Sequence, residues 1–279
     1  MELILVVVQL RNLKRNNIKK DYRLRLTKVE HDLIKTQREN SNEIILIISD
    51  LHIPYHHQDS IKFLRAVKEH YKIDNKNPNH HIWNIGDEAD FHGISMHDSE
   101  TSLDTQHNET LKARKVFKEL ESLFPQMTLV HSNHGSMLYR RGKKHGIPNY
   151  MLRDYNEVLG VGKGWKWYSD YKFQMNNGQW VFMTHGMKKN GLTLAKEMGM
   201  SVIQGHYHTE FNISYTSNPM SLHWSMMCGC LIDDHSLAFS YNKVNSARVI
   251  LGCGIIINGQ PKLLPMVLER GGRWNEKVC

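Results

Sequence analysis

The sequence predicts an α/β body in which one sheet packs on another. Three observations carry this reading. From Glu43 onward, short apolar runs recur: "IILIIS" (44–49), "IWNI" (82–85), "TLVHS" (128–132), "WVFMT" (180–184) and "SVIQ" (201–204), each the length of a buried strand. Between the earlier runs the apolar residues switch to helical spacing. Beyond residue 220 the helices thin out, so the later sheet is expected to be largely antiparallel.

The elements follow in chain order. Residues 1–42 read as a basic, mostly helical segment, with residues 43–279 as the main domain. Residues 1–40 carry ten Lys or Arg against five Asp or Glu, which is five of the eight net positive charges. Leu24, Leu26, Val29, Leu33 and Ile34 give that segment a loose helical stripe. Its opening "MELILVVVQL" has Glu2 where a signal peptide would be basic, and its apolar run is short, so a strand or helix start is expected there. Ile61, Leu64, Val67 and Tyr71 predict one helix. Val116, Phe117, Leu120 and Phe124 predict a second, ended by Pro125. "VILGCGIII" and "KLLPMVL", joined at Asn258-Gly259, predict a hairpin with a type I′-like turn.

Composition narrows the class. No stretch approaches the roughly 20 apolar residues of a membrane span, so no membrane partner is expected. The four cysteines (Cys228, Cys230, Cys253 and Cys279) show no CxxC spacing, which argues against a structural zinc site and fits a reducing cytoplasm. The basic balance allows a nucleic-acid partner without requiring one.

Histidine is the unusual count, at 18 of 279 residues. Each of the five predicted strands runs at once into residues of metal-ligand type. The first leads to Asp50 and His52 in "SDLHIP", and the second to Asp87 and Asp90 in "GDEADFHG". The third leads to Asn133 and His134 in "SNHGS", the fourth to His185 in "THGM", and the fifth to His206 and His208 in "GHYH". One such motif is commonly a cap or a turn. Five in order at strand ends, where open α/β sheets gather ligands, predict a metal site. On extended backbone, residues i and i+2 face the same side, so Asp50 with His52, and His206 with His208, could each grip one ion.

Over about residues 44–209, this series resembles the calcineurin-like metallophosphoesterases, and the "SNHG" followed by a basic stretch is similar to compact phage members of that family. The resemblance implies a four-layer αββα fold, a β-sandwich flanked by helices. It implies one ion among Asp50, His52, Asp87 and His208, and a second among Asp87, Asn133, His185 and His206, with Asp87 bridging. The mixed nitrogen and oxygen donors suit divalent transition metals, with manganese favoured and iron, nickel or zinc as alternatives. The implied chemistry is in-line attack on phosphorus by a water activated between two cations. His134 matches the histidine that protonates the leaving group, and Asp90 matches an orienting residue, with a helix N-cap as its alternative role.

This sequence departs from the family pattern in places. Ser132 stands where a glycine is usual, and Gly135 where an acidic residue normally orients the histidine. Phe91 and His92 replace the Arg-Gly of protein phosphatases, which argues against that substrate class. His92 could contact phosphate instead, or be a turn residue. Arg140 and Arg141, with Lys143, Lys144, Lys188 and Lys189, follow candidate site residues closely and could bind flanking phosphates or be solvated. Trp165, Trp167 and Tyr168 could stack a base or belong to the core, and His56 and His57 lie near the site along the chain without an assigned role. The expected function is a phosphodiesterase acting on nucleic acid or nucleotides. The alternatives are a phosphomonoesterase acting on nucleoside monophosphates and a non-catalytic metal-binding scaffold.

Overall fold

The computed structural model describes residues 42–95, 102–217, 221–236 and 248–278. The basic segment predicted over residues 1–42 therefore lies outside the described residues, apart from its last position.

The β-branched run of β1 (Ile44–Ile48) sits at the middle of a six-stranded sheet. Beside it in parallel lie β2 (His80–Asn84), β3 (Met127–Val130) and β4 (Trp165–Tyr168). On its other side the hairpin of β10 (Gly252–Ile257) and β11 (Gln260–Pro265) pairs antiparallel, with Ile45 opposite Ile256. Asn258 and Gly259 at the hairpin tip both have positive φ, +50° and +79°, as a type I′ turn requires.

The second sheet has five strands. In spatial order they are β5 (Tyr171–Gln174), β6 (Trp180–Thr184), β7 (Ser201–Gln204), β9 (Leu222–Cys228) and β8 (Phe211–Ser217). It is mixed rather than largely antiparallel, because β6, β7 and β9 run parallel and only the two edge pairs are antiparallel. The late hairpin also belongs to the first sheet. Hydrophobic period reports burial and not strand direction, and the connection from β7 to β8 skips the position that β9 then fills.

Alternation along β1 explains the layers. Ile45 and Ile47 face the second sheet, where they pack with Trp83, Val181, Met183, Ile203 and Trp224. Leu46 and Ile48 face the opposite way, onto α1 (Ser60–His70) and α2 (Gln106–Leu123). Those helices contribute Phe63, Leu64, Val67, Phe117 and Leu120 to that core. On the far side, α5 (Gly191–Met198) covers Phe182 and Val202 with Leu194 and Ala195. Strands buried on both faces read as unbroken apolar runs, which is why their lengths were legible. The order is helix, sheet, sheet, helix, an αββα sandwich. Four shorter elements complete the rim: α3 (Met137–Lys144), α4 (Tyr155–Leu159) and 3-10 turns at His92–Ile94 and Asn149–Met151.

Trp165 belongs to the core. It is 1% exposed, and its indole N–H donates to the Phe124 carbonyl at 2.9 Å. Trp167 donates to the buried Glu88 carboxylate at 3.2 Å. Neither indole is therefore a free base-stacking surface, because β4 is itself a strand of the first sheet. No helix among the described residues is long and apolar enough to cross a membrane.

Candidate metal centre

The parallel strands β1, β2 and β3 of one sheet, and β6 and β7 of the other, all end at the same edge of the sandwich. Each turn after a strand end then delivers its polar residues inward. The turns are not extended. Asp50, His52, Asp87 and His206 have φ of 42°, 49°, 49° and 68°, a left-handed backbone uncommon for such residues. Strain of this kind concentrates at sites where the surrounding structure holds it in place. The same-side rule for extended backbone therefore does not apply, and His206 and His208 fall into different groups.

Three overlapping groups of ligand atoms result, each within 4.8 Å: Asp50, His52 and His208; His52, Asp87 and His134; Asp87, His185 and His206. Asp87 and His52 are each common to two of them. Asn133 joins through its side-chain oxygen, 2.7 Å from His185 Nε2. Close approach of the turns depends on glycine. A Cβ on Gly205 would lie 2.3 Å from Asp50 Oδ2, and one on Gly86 would lie 2.7 Å from His185 Nδ1.

The donor chemistry fits cations. His185 Nδ1 faces the Ile85 carbonyl at 2.8 Å, so that nitrogen carries the proton. Its Nε2 then presents a lone pair to Asp87 Oδ2 at 3.1 Å and to Asn133 Oδ1. Three acceptors facing one another repel unless a proton or a metal ion sits among them. His52 repeats the arrangement. Its Nδ1 is 2.7 Å from Asp90 Oδ1, which leaves Nε2 directed at Asp87 Oδ2, 3.5 Å away. A histidine whose outer nitrogen donates to a carbonyl or carboxylate is the usual form of a metal ligand. Asp50 and Asp87 are 0% and 1% exposed, and among the described residues neither pairs with Lys or Arg. The residues present therefore fit divalent cations.

Proton affinities reflect the same shape. Burial opposes charge on His185, but Asp87, Asp50 and the Ile85 carbonyl outweigh it and raise its pKa to about 9. Burial would also raise Asp87, yet the surrounding His185, His134 and His52 hold it well below the usual carboxylate value. Asp50 is likewise lowered, with His208 overcoming the cost of burial. His52 is lowered, chiefly by burial and then by His134, and so stays neutral.

His134 belongs to the second group, and its backbone N–H donates to Asp87 Oδ1 at 3.2 Å. Its Nδ1 bonds the Asp90 carbonyl, and its ring meets that of His52 edge-on at 4.5 Å. Burial lowers its proton affinity, but Asp87 and Asp90 outweigh this and raise it above the ordinary imidazole value. Asp90 thus contacts both the His52 and His134 rings, and the N-cap position of the 3-10 turn that follows is Phe91 and not Asp90.

The other predicted positions divide. His92 sits at the rim, 3.8 Å from Asp90 Oδ2. Arg140 Nη2 donates to the Asn133 carbonyl at 3.1 Å, behind the proposed ligand. The Arg141 guanidinium is engaged by the backbone carbonyls of Ile94 and Ser95. Lys188 pairs with Glu197 and Lys189 with Glu210. His56 and His57 belong to none of the groups. His57 Nε2 bonds the Gly272 carbonyl at 2.9 Å and tethers the C-terminal segment.

Sequence reasoning missed several supporting residues. Ser49 donates its hydroxyl to Asp50. Glu109 is buried and accepts from the N–H groups of His92 and Gly93 at 3.2 and 3.3 Å. Together with Arg141 it clamps the turn beside Asp90 from both sides. In the sequence Glu109 looks like an ordinary acid in the first turn of a helix, so nothing marked it.

No family model matches the chain, and no curated protein does. Among solved structures it is similar to Vps29 of Chaetomium thermophilum, at 10% identity over 83% of this chain and 94% of that one, with a TM-score of 0.39. It is also similar to a putative diadenosine tetraphosphatase, at 12% identity over 81% and 95%, with a TM-score of 0.38. A third is a protein serine/threonine phosphatase from Saccharomyces cerevisiae with similarity to human phosphatase PP5, at 11% identity over 87% and 80%, with a TM-score of 0.34. Likeness at this level decides nothing about activity, and the functional reading rests on the site itself.

Proposed function

We propose that this chain is a metallophosphoesterase, a hydrolase of phosphate esters that works with two divalent metal ions. The observation that carries the reading is the central position of Asp87, whose buried Oδ2 lies 3.5 Å from His52 Nε2 and 3.1 Å from His185 Nε2. Asp50, His52, Asp87 and His208 would hold one ion, and Asp87, Asn133, His185 and His206 the other. Manganese is favoured, with iron, nickel or zinc compatible with the same donors. Bound there, the ions supply Lewis acidity and an activated water.

The chain's own residues do the rest. Asp90 fixes the rings of His52 and His134, and Ile85 fixes that of His185. His134 keeps its Nδ1 on the Asp90 carbonyl, and in its charged form, which Asp87 and Asp90 favour, it would offer Nε2–H to the leaving oxygen. The preferred substrate is a phosphodiester of nucleic acid or a nucleotide, supported by the basic face of α3, which begins three residues after His134. A cytoplasmic setting belongs to the same proposal and is supported by the free, buried cysteines Cys228, Cys230 and Cys253.

The test is manganese-dependent hydrolysis of a chromogenic phosphodiester and of the matching monoester, with Asp87→Asn as control. Turnover of the diester, lost in Asp87→Asn, supports the proposal. Turnover of the monoester alone moves the substrate to nucleoside monophosphates. Two equivalents of bound manganese with no turnover of either ester would make the chain a metal-binding scaffold.

A further inference from the structure

The segment from α3 to Arg153 follows the loop that carries His134, and it combines two features. Lys143, Lys144 and Arg153 are exposed, form no ion pair among the described residues, and have no acidic residue between them in the chain. Among them stand exposed apolar side chains: Tyr139 at 44%, Met151 at 66% and Tyr150 at 87%. Large apolar side chains left this open normally cost free energy in water, and a tyrosine at 87% has almost no intramolecular packing to offset that.

The platform is fixed to the site. Met137 is buried in the main core. The Ile147 N–H returns to the Gly142 carbonyl at 2.9 Å, and a Cβ on Gly142 would meet Leu152 at 3.1 Å, so the projecting turn folds back on the helix. Arg141 ties the helix to the carbonyls of Ile94 and Ser95, and Arg140 ties it to Asn133. The helix itself spans about 12 Å at ~1.5 Å per residue, long enough to carry more than one phosphate away from His134.

We propose that this segment is a binding platform for a single strand of nucleic acid entering the metal centre. Lys143, Lys144 and Arg153 take backbone phosphates, while Tyr139, Tyr150 and Met151 pack against unpaired bases. Cations interleaved with exposed aromatic rings match a strand that offers both charge and unstacked π faces. A duplex presents phosphates but buries its base faces, and an acidic polypeptide offers charge without rings. The inference builds on the phosphoesterase reading, since the platform feeds the site that reading describes.

The experiment is fluorescence anisotropy of the metal-loaded chain with a short labelled oligothymidylate, with strand integrity checked on a gel. The wild type is compared with Lys143→Gln/Lys144→Gln and with Tyr150→Ala. All three side chains are exposed, so the variants are expected to fold. The lysine pair should weaken binding about tenfold at low salt and reduce the log–log salt slope by about 1.4. Tyr150→Ala should weaken binding about tenfold with the slope unchanged. A duplex of equal length should be indifferent to Tyr150→Ala.

Single-strand affinity unchanged in both variants would overturn the platform, as would equal competition by polyglutamate of matched charge. If the wild type still hydrolyses the chromogenic diester in that case, only the platform is lost. If both variant effects appear but the wild type hydrolyses no phosphate ester, the platform stands and the phosphoesterase reading is lost.

Discussion

His52 Nδ1 lies 2.7 Å from Asp90 Oδ1, and both side chains are buried. The same Asp90 accepts from His134 through its backbone carbonyl. One residue thus sets a proposed ligand with its carboxylate and the proposed acid with its main chain. Asp90→Ala should lower manganese affinity roughly 10–100-fold, the range typical for the partner of a ligating histidine. Asp90→Asn should recover part of that loss, because an amide oxygen can still accept from His52. Calorimetric titration with manganese measures both, and unchanged affinity in Asp90→Ala would remove the residue from the site.

Gly135 stands where the resembling family places an acid. A Cβ there would lie 3.1 Å from both Ser132 Oγ and Tyr155 Oη, and His134 already has Asp90. Gly135→Asp should therefore lower stability by about 1–3 kcal/mol through overpacking, with no gain in turnover. Thermal unfolding and kcat on the chromogenic ester check the two halves separately. A faster Gly135→Asp enzyme would show that Asp90 holds His134 too loosely.

The C-terminal segment is clasped to α1 by Asp59, whose oxygens lie 2.7 and 2.5 Å from the Arg273 guanidinium and 3.0 Å from the Trp274 N–H. Chiefly through Arg273, the Asp59 carboxyl is held at about 2, below the ordinary ~3.9. A depressed carboxylate stabilises the fold fully above its unfolded value, and that contribution is lost as pH falls through the folded one. Denaturant unfolding should show Asp59→Asn less stable than wild type at pH 6, with the two converging between about pH 4 and pH 2. A constant difference across that range would contradict the assignment.

Phe117 is fully buried on α2, edge-on to Trp165 with ring centres 6.1 Å apart. Phe117→Ala should cost about 3–5 kcal/mol, read as a lower urea midpoint at unchanged m-value. A cost under about 1 kcal/mol would mean that the helix layer repacks freely, against the close packing expected of such a core.

Much of this protein was legible in its sequence because burial leaves a local mark. The runs at 44–49, 180–184 and 201–204 match β1, β6 and β7 because those strands are covered on both faces. The polar residues at strand ends were visible for the same reason, since they interrupt apolar runs. What the sequence could not determine was relation at a distance. Strand direction in the second sheet and the return of the β10–β11 hairpin to the first depend on pairings with no local signature. The separation of His206 from His208, which the family resemblance implied and the same-side spacing rule did not, depends on left-handed backbone at His206. Glu109 and Arg141 were opaque because an acid or a base on a helix reads as solvated until the tertiary structure buries its partner. Local chemistry named the side chains; only long-range packing decided which of them meet, because distances across the sandwich are set by the core.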